Sequence, residues 1–155
     1  MSTIDKGNQV HELTDVPLPS PSAPNPLVLA DQDTLVVAYM SAKDEAAAIV
    51  VFRQCYASHF GPPIDEAFVS HPLADRGLSP YGAFEVESSS WLRGLEMRNR
   101  SHPRHDPQLF HQLRHWVWTF HDSVLECAAL AYTVGGTQER PGDLMPRMHA
   151  LLGSS

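Results

Sequence analysis

The stretch RHWVWTFHDSVLECAALAYTV, residues 114–134, limits the fold more than any other part of the chain. Trp116, Trp118 and Phe120 alternate with His115, Val117, Thr119 and His121. A period of two marks a strand with unlike faces, and aromatic and β-branched side chains suit a pleated surface. His121-Asp122-Ser123 supplies short polar side chains that bond nearby backbone, so the chain is predicted to bend there into a β-hairpin. An even-numbered loop places Phe120 opposite Leu125, Trp118 opposite Cys127, Thr119 opposite Glu126 and His121 opposite Val124.

One face of this hairpin holds Trp116, Trp118, Phe120, Leu125, Cys127 and Ala129, and reads as core. The other holds His115, Thr119, His121 and Glu126 among Val117, Ala128 and Leu130. Directly opposed side chains lie roughly 5 Å apart and diagonal ones roughly 7–8 Å. Glu126 is therefore expected to reach Thr119 and His121, giving a half-buried imidazole–carboxylate site. The competing reading is a structural network of turn polar groups that caps the hairpin.

The chain has 155 residues, enough for one domain with a real core. Its formal charge is −7, which argues against nucleic acid and against an anionic membrane surface as partners. Cys55 and Cys127 both lie among apolar neighbours and read as buried free thiols. The first residues show no secretory pattern, and no stretch approaches the roughly 20 apolar residues of a membrane span. The cytoplasm is the expected location.

Residues 1–33 read as a tail, extended or disordered, because PLPSPSAPNPL at 17–27 is rich in proline, which removes amide donors and fixes φ. Residues 34–155 read as a single α+β domain. LVVAYM at 35–40 is a buried strand, and 47–59 is a second, longer one. Residues 64–80 form a loop carrying Asp65, Glu66 and His71, and YGAFEVE at 81–87 alternates as a strand. Helices are predicted over 88–99, with a serine N-cap, and over 107–112, with Asp106 as cap and Pro107 at the first position. A last helix, capped by Asp143, carries a stripe of Leu144, Met145, Met148, Leu151 and Leu152.

The words FGPPIDEAF, HPLADRGLSPYGAFEVESSSWL and HWVWTFHDSVLEC resemble a family of small uncharacterised bacterial proteins. The resemblance spans about residues 36–132. It implies a single compact domain and assigns no activity and no catalytic residue.

Nine histidines raise the question of a metal. His102 and His105 are split by a proline, and His111 and His115 span a predicted helix-to-strand junction. There is no HExxH or CxxC motif, and no phosphate loop, nucleotide fingerprint or GxSxG elbow. His121 with Glu126 and either His71 or Glu85 is the one ligand set the predicted geometry allows. No cofactor is required by the sequence.

The expected architecture is α+β: a mainly antiparallel sheet of about five strands with two or three helices packed on one side. The first functional expectation is a small enzyme using general acid–base chemistry on a small polar molecule, by hydrolysis, elimination or isomerisation. His121 moves the proton, because an imidazole titrates near working pH. Glu126 orients it, with Asp122 beside it, and Glu85 or His71 is the second acid–base group. His115, Thr119, Ser123 and Asp65 contact the substrate. The alternatives are a non-catalytic small-molecule-binding or assembly module, and a His/carboxylate metal-dependent enzyme. The expected partner is a small-molecule ligand, with a homodimer as the one protein assembly left open.

Overall fold

The computed structural model describes residues 7–22, 25–43, 46–137, 139 and 143–152. The chain is α+β, and its strands pair antiparallel throughout. In chain order the strands are β1 (Gln9–Glu12), β2 (Leu27–Ala30), β3 (Thr34–Met40), β4 (Ala47–Arg53), β5 (Ala57–Gly61), β6 (Ala83–Glu87), β7 (Arg114–Thr119), β8 (Val124–Ala129) and β9 (Ala131–Thr137). The helices are α1 (Ser90–Asn99), α2 (Pro107–Gln112) and α3 (Met145–Leu151). Besides the expected five-stranded sheet, ordered β1-β6-β7-β8-β5, there is a four-stranded sheet, β2-β3-β4-β9.

The two sheets face each other. Leu35, Val37 and Tyr39 of β3 and Val50 and Phe52 of β4 share one buried cluster with Trp116, Trp118, Leu125 and Cys127 of the hairpin. Its centre is aromatic: Phe52 meets Trp118 edge to face at 5.2 Å, and Tyr132 meets Trp116 at 4.9 Å. Such T-shaped pairs align ring edges with ring faces and add about 0.5–1.5 kcal/mol each beyond burial. The Trp118 Nε1–H donates to Tyr39 Oη at 3.0 Å, and the Tyr39 hydroxyl donates to the Pro17 carbonyl at 2.7 Å. Burial pushes the Tyr39 phenol up to about 12, so it stays a donor.

Helices flank both outer faces. α3 lays Leu144, Met148 and Leu151 over Val36, Ile49 and Val51 of the four-stranded sheet. Its N-cap is Leu144, not Asp143. α1 and α2 cover one end of the other sheet through Leu95, Phe110 and Ala128. The remaining end is covered by a 3₁₀ helix, Asp65–Ser70, and the turns after it, through Phe68, Leu73 and Leu78.

Two expected long strands each break and change sheet. The run predicted over 47–59 divides at Gln54, whose φ is +50°, into β4 of one sheet and β5 of the other. The second arm of the hairpin ends at Ala129, and the chain continues as β9 beside β4. The breaks meet, since the Leu130 amide donates to the Arg53 carbonyl. Strands that switch sheets at a bend close one corner of a sandwich.

The first 33 residues, expected as an extended or disordered tail, contribute β1, paired with β6, and β2, paired with β3. Pro19 forms an isolated bridge to Ser41, so described parts of the proline-rich stretch are pinned to the fold. Residues 1–6, together with Ala23 and Pro24, lie outside the described residues. No helix among the described residues is long and apolar enough to cross a membrane.

Candidate functional site

The hairpin forms with the predicted faces but a different pairing. Its loop is His121-Asp122, closed by the Phe120 amide donating to the Ser123 carbonyl. Trp118 therefore faces Leu125, Thr119 faces Val124, and Glu126 faces Val117. The expected register is displaced by two residues. A shift of two keeps every side chain on its predicted face and changes its neighbours. Glu126 is separated from His121 by this displacement and brought diagonal to His115.

Glu126 is the centre of a fully bonded row. His115 Nε2 lies 2.7 Å from Oε1, and His71 Nε2 lies 2.8 Å from Oε2. Both imidazoles are nearly inaccessible, at 3% and 4% side-chain exposure, whereas the carboxylate keeps 19%. His71 arrives from the loop of 64–80. Phe68 and Leu73 anchor that loop on the sheet, and the Phe68 and His71 rings lie nearly parallel. Pro72 restricts the residue before it, and His71 is extended as that predicts.

The hydrogen bonds assign the protons. The Leu73 amide donates to His71 Nδ1 at 3.0 Å, so that nitrogen carries no proton and Nε2–H donates to Glu126. Ser89 caps α1 by accepting from the Leu92 amide at 3.1 Å, which leaves its own proton free for His115 Nδ1 at 2.8 Å. His115 Nε2–H then donates to Glu126. Burial alone pushes the Glu126 carboxyl up; the bonds from His115 and His71 outweigh it and hold the group at about 2. Glu126 is thus an anion at neutral pH, with one imidazole N–H donating to each of its oxygens.

This row floors an open cleft of about 930 Å³ on the outer face of the five-stranded sheet. One wall is the segment from Ser70 to Arg76, and the other is α1, with Trp91, Gly94 and Arg98. The Trp91 ring lies 4.8 Å from His115. His59 of β5, directly opposite Glu126, extends the floor to the sheet edge and is exposed. Arg76 and Arg98 line the cleft and have no ion pair among the described residues; Asp75 lines it as well.

The other expected site residues lie elsewhere. His121 is exposed at the hairpin bend, bonded to Asp122 at 2.8 Å and 3.8 Å from Asp65. The Asp122 bond and the Asp65 charge raise its affinity for a proton. Asp65 accepts from the Tyr81 hydroxyl, which this bond pushes up to about 12, and the Asp65 amide donates to the His121 carbonyl. That small network ties the loop of 64–80 to the bend. Thr119 is fully buried: its hydroxyl accepts from the Gly82 amide and donates to the Ser79 carbonyl, both at 2.8 Å. Ser123 is buried at the turn. Glu85 faces Trp116, on the opposite side of the sheet from Glu126, and pairs with Arg114 at 3.4 Å.

Of the expected residues, the structure brings together Glu126, His71 and His115. His59, Ser89, Trp91, Arg76 and Arg98 were not foreseen. The serine run before α1 signalled the cap, but nothing local to Ser89 points to His115. Among the described residues no group of three or more His, Cys, Asp or Glu side chains is arranged to hold a metal ion, and the ligand set expected around His121 and Glu126 does not assemble. No known protein family, curated protein or solved structure matches the chain.

Proposed function

We propose that the cleft binds a small organic anion with a flat apolar body, and that the protein is a binding module of the cytoplasm. The observation that carries this reading is the contrast between floor and walls. On the floor, His71, Glu126, His115 and Ser89 use their hydrogen-bonding atoms on one another and on the backbone. On the walls, Arg76 and Arg98 have no ion pair among the described residues and border apolar surface from Trp91, Pro62, Pro72 and Leu73. Guanidinium groups bind carboxylates through paired, charge-assisted hydrogen bonds, and an aromatic wall favours a planar ligand. A few polar groups converging on a largely apolar cleft is the usual make-up of a small-molecule site.

Acid–base catalysis is the second reading, favoured by carboxylate-oriented imidazoles that line a cleft. It requires His71 Nδ1 to release the Leu73 amide, or His115 Nδ1 to release Ser89, before either ring exchanges a proton with a ligand. The binding reading needs no such opening.

The test is calorimetric titration with a panel of aromatic and aliphatic mono- and dicarboxylates. Saturable binding that weakens about tenfold in Arg76→Ala or Arg98→Ala supports the proposal. A folded protein that takes up none of the panel overturns it. Turnover of any panel member, abolished by His115→Ala, would favour the enzyme.

A further inference from the structure

We propose that the free edge of β5 docks an extended peptide segment whose acidic side chain enters the cleft beside His59. The inference rests on the reading of the cleft as an anion site and names its macromolecular partner.

β5 is the last strand of its sheet and pairs with β8 alone among the described residues. Ser58, His59 and Phe60 are all exposed. Exposed edges are normally blunted by charged side chains, proline or a bulge, because unpaired amides and carbonyls template another strand. β5 reads ASHFG and contains none of these within it. Phe60 of the strand is 44% exposed, and further along the chain Ile64 is 40% and Val69 91% exposed. Single exposed apolar residues are ordinary, but a large one on an open edge strand, followed by two more within ten residues of sequence, marks a candidate contact surface.

The register determines what would fit. His59 projects on the cleft face because it pairs with Glu126, and Phe60 projects on the opposite face because it pairs with Leu125. A residue added opposite His59 falls on the cleft face, with its Cβ roughly 5 Å from that of His59. The cleft there is lined by Arg76 and Arg98, which have no ion pair among the described residues, and also by Asp75 and by Glu126, whose two oxygens already accept from His71 and His115. Its neighbours along the added strand fall on the other face, where Phe60 offers apolar surface. The matching sequence alternates acidic and apolar residues. Backbone pairing would supply affinity and the cleft would supply selectivity, as in strand addition generally. A second copy of the chain fits less well: β5 carries no acidic residue, so pairing β5 with its symmetry mate about His59 sets imidazole against imidazole.

The probe is a short fluorescent peptide of alternating valine and glutamate, titrated against the full chain by anisotropy and by amide shifts in labelled protein. The expected result is saturable binding, with shifts at Ser58, His59 and Phe60, and about tenfold weaker binding when lysine replaces glutamate. Methylating alternate peptide amides in one of the two registers should weaken binding by a similar factor. Equal binding by both methylated peptides and the parent overturns edge pairing. So does failure of the acidic peptide to bind a protein that still takes up small carboxylates, a result that leaves the cleft reading intact. Concentration-dependent dimerisation that shifts the same three amides would assign the edge to a second copy instead.

Discussion

Glu126 Oε2 and His71 Nε2 lie 2.8 Å apart across 55 residues of sequence, and this bond joins the central hairpin to the loop that walls the cleft. The second oxygen does the same for His115, and through Ser89 for the start of α1. One carboxylate thus holds both walls to the floor. Removing one partner of such a buried group leaves the others unpaired, which costs more than the bond itself contributes.

Glu126→Gln is expected to destabilise the fold by about 1.5–3 kcal/mol at neutral pH, measured by urea unfolding. A carboxamide has one acceptor oxygen, and its amino group would face an imidazole N–H. The pH dependence follows from the depressed carboxyl. Its folded value of about 2 lies below the ordinary 4.5, so its contribution is fully present above pH 4.5 and is lost as pH falls towards 2. The shift corresponds to about 3 kcal/mol. The wild type should lose stability through that window, and the variant should lose much less there.

His71→Ala and His115→Ala should be coupled, although the two rings share no bond. Each relies on the carboxylate that the other also satisfies. A double-mutant cycle is expected to return an interaction energy of about 0.5–3 kcal/mol. Strict additivity would mean that the row is not a unit.

Thr119→Val should cost about 1–3 kcal/mol in urea unfolding and leave carboxylate affinity unchanged, because it strands the buried Gly82 amide without touching the cleft. A change in affinity would contradict the structural role assigned to this side chain.

Tyr39→Phe removes an acceptor from Trp118 and a donor from Pro17 in one step. A loss of about 1–3 kcal/mol is expected in thermal unfolding. A red shift of tryptophan emission would report water reaching the intersheet core.

His121→Ala should leave the midpoint of urea unfolding essentially unchanged, since its side chain is exposed at the bend and its hydrogen bond is to the exposed Asp122. Anion affinity should also be unchanged. A large effect on binding would return the bend to the functional site.

Particular residues show how far the sequence could be read. The opposing faces of the hairpin follow from alternation, and Asp106-Pro107 marks the start of α2, because both signals are local. Ala47 to His59 is a strand by composition, but nothing in those residues requires Gln54 to turn the chain into the other sheet. The displaced hairpin register has the same origin. His121-Asp122 and Asp122-Ser123 are both acceptable loops, and either keeps the indoles inward. Packing selects between them: with Trp118 opposite Leu125, the Thr119 hydroxyl meets the Gly82 amide and the Glu126 carboxylate meets two imidazoles.

The amino-acid sequence alone determined the α+β class, the hairpin, the caps of the first two helices and which hairpin face carries the aromatic core, since these depend on periodicity and on backbone preferences within a few residues. The tertiary structure alone decided that there are two sheets, that the first 33 residues contribute a strand to each, and that Glu126 is bound by His71 and His115 rather than by His121. Those outcomes depend on contacts between distant segments, where a buried carboxylate is stable only if every partner arrives together.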